Sequence, residues 1–245
     1  MKDAYLGKAV FRTQDIMSFF PSERSMQYKL KSLIGTGRIA KIKSGLYATV
    51  NPLTGDIFAN RFEIATALFD RACVAYHSAL EFHGLGNQMY SQTQVFLEKR
   101  QIPFEYDGIE YKFFRPKIHS GVMHLEENAT ITVTDMERTL ADCFDRLDLA
   151  GGLEELVTAM NGITYLNERS LLGYLKEYNK KFLYKKAGFL LDRFRGDLLS
   201  RTFFDTCRQN ITDKFDDIRE NKKLPSKADG DWKIIYPEKL MNTEN

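Results

Sequence analysis

The chain has 245 residues, with 35 Lys and Arg against 33 Asp and Glu for a net charge of +2, which excludes a polybasic or acidic tail dominating the whole. A composition that is 43% hydrophobic and 13% aromatic excludes global disorder and supplies a core for one large or two small domains. Three distant cysteines (Cys73, Cys143 and Cys207), an N-terminus without the apolar run of a signal peptide, and the absence of any stretch approaching about 18 apolar residues together predict a soluble, cytoplasmic protein with reduced thiols.

The charge is unevenly spread. Residues 1–50 sum to +6, residues 51–160 to −8 and residues 161–245 to +4. A basic head on an acidic middle predicts at least two functional units, the first a candidate for nucleic acid.

In chain order, Thr13 is read as the cap of a short helix over residues 13–20, with Ile16, Phe19 and Phe20 inward and Pro21 ending it. Ser22 opens a second helix to about Ile34, whose apolar residues Met26, Leu30, Leu33 and Ile34 recur at i, i+4, i+7 and i+8, and Gly35 and Gly37 stop it. Arg24, Ser25, Gln27, Tyr28, Lys29, Lys31 and Ser32 fall on the other faces. These are residue types that donate to phosphates or read base edges. A plain solvated amphipathic helix has the same pattern.

The next segment separates the two readings. Arg38-Ile-Ala-Lys41-Ile-Lys43 alternates apolar and basic residues, Ser44-Gly45 supplies a turn, and Leu46-Tyr-Ala-Thr-Val50 returns before Asn51-Pro52. Helix, turn, helix and basic hairpin is the order of a winged helix. From Arg24 to Lys43 there are six basic residues and no acidic one, the kind of charge that supplies much of the affinity for DNA.

The middle predicts helices over residues 60–70 and 72–82, broken at Gly84-Leu-Gly86. Strands come next over residues 93–97, over residues 104–114 around an Asp107-Gly108 hairpin signal, and over residues 129–133. Thr134-Asp-Met-Glu137 has the form of a capping box for a helix carrying Leu140, Phe144 and Leu147 inward. Past Gly151-Gly152 the pattern is helical over residues 153–160, 168–178, 186–197 and 198–207, with a last strand over residues 232–236. Residues 221–231 read as a mobile loop. The basic runs at 176–186 and 193–201 read as solvated helix faces, with a second nucleic-acid surface as the alternative.

Catalytic motifs are sparse. Glu110-Tyr-Lys112 has the ExK form of metal-dependent nucleases, with Glu98, Glu105 or Asp107 as available partners, but one triplet arises readily by chance. His77 and His83 lie six apart and do not share a helical face, and His119 and His124 straddle Ser120-Gly121, so all four read as polar core or surface residues. Cys143, beside Leu140 and Phe144, reads as a buried small hydrophobe, and no glycine-rich phosphate loop or nucleophile elbow occurs.

Three segments together resemble the AbiEi family: the opening helices and hairpin ending in Gly45-Leu-Tyr47, Tyr76-His-Ser-Ala-Leu-Glu-Phe-His-Gly-Leu85, and Thr132-Val-Thr-Asp-Met-Glu-Arg-Thr-Leu-Ala-Asp142. The resemblance covers most of residues 10–160. It implies an antitoxin of a type IV toxin-antitoxin (abortive infection) system that represses its own operon. An N-terminal winged helix would bind inverted repeats in double-stranded DNA, and a C-terminal domain would counteract a nucleotidyltransferase toxin without a stable complex. The chain departs from the family in its compact head and in the lack of family pattern after about residue 165.

The expected fold class is therefore α+β: a winged helix-turn-helix over residues 1–52, then a mixed α+β domain over residues 53–245, helical from about residue 135. The expected DNA-binding residues are Arg24, Ser25, Gln27, Tyr28, Lys29, Lys31, Ser32, Arg38, Lys41, Lys43 and Ser44. No catalytic residue, cofactor, metal or membrane partner is assigned. The competing readings are a stand-alone winged-helix regulator with a ligand- or protein-binding C-terminal domain and, behind it, a metal-dependent nuclease.

Overall fold

The computed structural model describes residues 4–126 and 130–242. Ala129, at the start of one expected strand, and both chain termini lie outside the described residues. The chain forms a mixed α+β protein of two compact units that interleave in sequence. Unit 1 takes the chain up to Val74, then Ser91–Arg115 and Met123–Val133; unit 2 takes Ala75–Tyr90, Pro116–Val122 and the chain from Thr134 on.

Unit 1 opens with a 3-10 turn (Ala4–Gly7), strand β1 (Val10–Arg12), helix α1 (Thr13–Ile16), a second 3-10 turn (Met17–Phe19) and helix α2 (Glu23–Gly35). The hairpin of β2 (Ile39–Lys43) and β3 (Leu46–Thr49) comes after it, and an antiparallel sheet of order β1-β3-β2 results. The spacing along α2 does what apolar periodicity demands. Met26, Leu30 and Leu33 join Tyr5, Phe11, Ile16, Ile39 and Tyr47 in one buried cluster.

Several expectations for this head shift. The first helix is capped at Arg12, not Thr13, and tightens to a 3-10 turn after Ile16, because Phe20 precedes Pro21 and is forced into extended backbone. Phe19 is left exposed. Ile34, which stands roughly 80° around the helix from Met26, is also exposed, on the flank of the apolar stripe. Strand β1 carries no alternation long enough to be read from sequence; Phe11 opposite Tyr47 holds it in place.

The rest of unit 1 is built on a six-stranded mixed sheet of order β6-β7-β5-β4-β9-β8, formed by β4 (Cys73–Val74), β5 (Gln92–Phe96), β6 (Phe104–Tyr106), β7 (Ile109–Phe114), β8 (Val122–Glu126) and β9 (Thr130–Thr134). Helix α3 (Arg61–Ala67) packs on it, capped by Asn60, whose side chain accepts from the amides of Phe62 and Glu63. Asp107 and Gly108 both take positive φ, 51° and 74°, which is the type I′ geometry that matches the twist of β6 and β7. The helix expected over residues 72–82 is instead a two-residue strand, β4, followed by helix α4 (Tyr76–Phe82), with the break at Tyr76, which adopts a φ of 53°. Val74 pairs with Val95 and Val133 in the sheet, and that tertiary pairing overrides local helix propensity.

Unit 2 surrounds helix α5 (Met136–Asp145), which is buried along most of its length. Helices α4, α7 (Glu168–Tyr178) and α8 (Lys181–Arg195) pack against it, and α6 (Leu153–Asn161) and α9 (Arg201–Gln209) pack on α8. A small sheet of order β10-β12-β11 is made by Asp216–Asp217, Ser226–Asp229 and Ile234–Pro237. The stretch expected as a mobile loop thus contains β11, held by antiparallel pairing to β12. Helix α8 starts five residues earlier than its sequence pattern suggested, because Leu183 and Tyr184 extend its buried face and Asn179, in left-handed backbone, ends α7 just before it. Gly188 is where Trp232 meets α8: a Cβ there would lie 2.1 Å from the indole ring.

The cap of α5 is displaced by one residue from the expected box. Asp135 accepts from the Arg138 amide at 2.7 Å, Thr134 stays in β9 and shares a hydrogen bond with Thr139, and Glu137 accepts from the Asn167 amide at 2.6 Å. A carboxylate is the stronger acceptor for a helix N-terminus, and the Thr134 hydroxyl is already engaged. Leu140 and Phe144 are buried as expected, whereas Leu147 sits half-buried in the 3-10 turn Leu147–Leu149 beyond the helix. Among the described residues no helix is long and apolar enough to cross a membrane.

Candidate nucleic-acid interface

Helix α2 is fixed at its start by Ser22, whose hydroxyl oxygen accepts from the Ser25 amide at 3.2 Å, while the Ser25 hydroxyl donates to the Ser22 carbonyl at 2.8 Å. Its end is closed by the Arg38 amide donating to the Leu33 carbonyl at 2.9 Å. With Met26, Leu30 and Leu33 inward, the outer surface carries Arg24, Gln27, Tyr28, Lys31 and Ser32, all exposed, with Ser25 and Lys29 half-buried. Arg24 lies over the Tyr28 ring at 5.7 Å and donates to its hydroxyl at 3.4 Å, so the two project as a pair one turn apart. Tyr28 is 64% exposed, unusual for a large aromatic side chain that packing alone would place.

The hairpin contributes a second exposed group. Arg38 just before β2, Lys41 in its middle and Ser44 just after it are exposed, with Ile39 and Ile42 buried between them. Lys43 departs from the expected pattern. A bulge between Lys41 and Lys43 turns its side chain inward, where the ammonium stands 3.9 Å from the centre of the Phe69 ring and 5.8 Å from that of Phe104. Burial there lowers its pKa. Ser25 is likewise committed to the cap. Of the eleven residues expected to bind DNA, the structure brings Arg24, Gln27, Tyr28, Lys31, Ser32, Arg38, Lys41 and Ser44 to the surface of the head, leaves Lys29 half-buried, and gives Ser25 and Lys43 structural duties.

The other expected chemistry resolves into structural contacts. Glu110 and Lys112 pair with each other on β7 at 3.1 Å, and among the described residues no group of three His, Cys, Asp or Glu is placed to hold a metal ion. His77 is buried against Glu155 at 2.9 Å and Glu81 at 3.8 Å, His83 donates to the Thr134 carbonyl at 2.8 Å, and His124 meets the Thr132 hydroxyl at 3.1 Å. Cys143 is fully buried, and burial pushes its thiol pKa up, the opposite of what a nucleophile requires.

Two features escape a reading of the sequence. Arg138 is buried inside unit 2, where it grips Asp142 through Nε at 2.8 Å and donates to the carbonyls of Ser120 and Ile118 at 2.6 Å and 2.9 Å. The basic runs of the C-terminal helices are also only partly solvated. Lys185 is buried on Asp216 at 2.7 Å, Lys186 is buried as well, and Arg195 donates to the carbonyls of Met160, Asn161 and Ile163. The i, i+4 spacing of Arg138 and Asp142 is the one available signal for the first; the second has none.

No family model matches the chain, and no curated protein matches it either. Among solved structures, the crystal structure of the RV2827C protein from Mycobacterium tuberculosis is similar over 93% of this chain and 86% of its own, with a TM-score of 0.65 at 12% sequence identity. Likeness at that identity concerns the fold alone.

Proposed function

We propose that residues 1–52 are a winged helix that binds double-stranded DNA through α2 and the β2–β3 hairpin, and that the chain is a transcriptional repressor of its own operon and the antitoxin to a nucleotidyltransferase toxin. One observation carries the DNA half: between Arg24 and Lys43 every charged residue is basic, and the buried cluster leaves Arg24, Lys31, Arg38 and Lys41 outward on one helix and the hairpin beside it. The order of helices and strands, with β1 closing a three-stranded sheet, supports the winged-helix reading. The antitoxin half rests on the resemblance of the segments at Tyr76 and Thr132 to AbiEi proteins.

In this reading Arg38 and Lys41 in the wing and Lys31 on the helix contact phosphates, and Gln27, Tyr28 and Arg24 reach base edges. The test is a gel-shift titration against the upstream promoter region and a scrambled duplex at two salt concentrations. Selective, salt-sensitive binding is expected. Arg38→Ala with Lys41→Ala should weaken binding to both duplexes and flatten the salt slope by about 2, whereas Gln27→Ala should narrow the difference between them by about 1–3 kcal/mol. A slope unchanged in the double variant overturns the wing assignment. Rescue of cells expressing the adjacent toxin tests the antitoxin half separately.

One observation favours the stand-alone regulator as a second reading. Unit 2 holds a cavity of ≈ 440 Å³ lined by residues including Leu153, Leu224, Pro225 and Leu240, a size and polarity suited to a small ligand. An adjacent reading frame that encodes no nucleotidyltransferase would favour it.

A further inference from the structure

Unit 2 carries a second concentration of positive charge, one that the DNA reading leaves unused. Lys117 and Lys180 both donate to the carboxylate of Asp145, the last residue of α5, Lys180 at 2.6 Å. Lys186, on α8, donates to the main-chain carbonyl of the same residue at 3.3 Å, with its ammonium 4.7 Å from the centre of the Phe182 ring. Three ammonium groups therefore converge on one residue, two on its carboxylate and one, buried, on its main-chain carbonyl. The adjacent Arg146 and Asp148 already neutralise each other through bonds of 2.7 Å and 2.5 Å, so the three lysines against Asp145 leave a surplus of two positive charges.

The arrangement is open to a ligand on the lysine side only. The Asp145 side chain is 8% exposed, while those of Lys117 and Lys180 are 41% and 42% exposed. Each ammonium has three N–H donors, and Asp145 accepts one from each of these two lysines. Mutual repulsion is felt inside the cluster: burial, and then the charges of Lys180 and Lys117, push Lys186 down to about 8 against the pull of Asp145. A dianion would relieve that repulsion and neutralise the surplus. A carboxylate ligand would supply only half the charge, and compact ammonium groups suit a phosphoryl group as point charges.

We propose that Lys117, Lys180 and Lys186, gathered around Asp145, form a binding site for the phosphoryl group of a small phosphorylated molecule, held chiefly by Lys117 and Lys180. The probes are inorganic phosphate and ATP, titrated calorimetrically into the full chain at about pH 7 with chloride held constant. Saturable binding of at least one is expected. Lys117→Met with Lys180→Met should weaken it at least about tenfold, and Lys181→Met, which removes the same kind of charge from an exposed neighbouring position, should leave it unchanged. Asp145→Asn supplies the opposite sign, since it removes the competing carboxylate and leaves the lysines: binding should tighten several-fold. ATP binding at least about tenfold tighter than phosphate would identify a nucleotide as the source, and equal affinities would identify the phosphoryl group alone. No saturable binding of either probe, binding undiminished in the double lysine variant, or weaker binding in Asp145→Asn each overturns the site.

Discussion

At the residue scale, the same side-chain types do opposite work depending on what surrounds them. Arg24 and Arg38 are exposed, where their guanidinium donors are open to DNA in the proposed reading, whereas Arg138 is a fully buried clamp on Asp142 and two carbonyls. Burial raises the Asp142 pKa to about 6 against the pull of Arg138 and of the Tyr178 hydroxyl, so the carboxylate is ionised at neutral pH, and loss of the guanidinium would raise its pKa further. Arg138→Met should therefore cost about 3–5 kcal/mol at neutral pH by leaving a buried charge and two carbonyls unpaired. In the variant Asp142 takes up its proton at higher pH than in the native chain, so the cost should shrink as pH falls towards about 6 and level off below it. Denaturant unfolding at about pH 7.5 and pH 5 checks this; an equal cost at both means that Asp142 is not the group left stranded. Lys43 makes the complementary point, because its alternation with Lys41 marks it as a wing contact and only the bulge and the Phe69 ring withdraw it.

At the element scale, α4 and α6 are tied by His77. Burial disfavours its imidazolium, but hydrogen bonds and charge from Glu81 and Glu155 more than offset this, so its pKa lies above the ordinary histidine value, with Tyr90 edge-on at 4.4 Å as the other neighbour. Glu155 also accepts from the amides of Asn87 and Gln88, so this one carboxylate fixes the loop after α4 as well. A raised folded pKa stabilises fully below the unfolded value of about 6.5, and the contribution is lost as pH rises through the folded value. Melting temperature should accordingly fall as pH rises above about 6.5 in the native chain, and His77→Gln should flatten that fall. An unchanged slope in the variant would remove His77 as its source.

At the scale of the whole molecule, a net charge of +2 conceals a head of +6, so affinity for DNA should follow the local charge and not the total. With Lys31, Arg38 and Lys41 on phosphates, the logarithm of the binding constant should fall with the logarithm of salt at a slope of about −3. A slope near zero would mean that the exposed basic face serves something other than duplex DNA.

Much of the architecture is legible in sequence because it depends on local rules. Met26, Leu30 and Leu33 mark the buried face of α2, Asp107-Gly108 marks a turn requiring two positive φ angles, and residues 168–178 mark α7 at the boundaries observed. Local rules cover neighbours along the chain, and they fail where a partner is distant. Strands β1, β4 and β8 are two to five residues long and exist by pairing across the sheet; Lys185 and Lys186 read as solvated until α8 packs against α5 and Asp216; and the interleaving of the two units has no local signature. The exposed basic face of the head is legible in sequence because its charges follow the helical and strand periods of residues 22–44. The phosphoryl site proposed at Asp145 is not, since its lysines come from positions 117, 180 and 186 and only the folded chain gathers their charges where burial reduces screening by water.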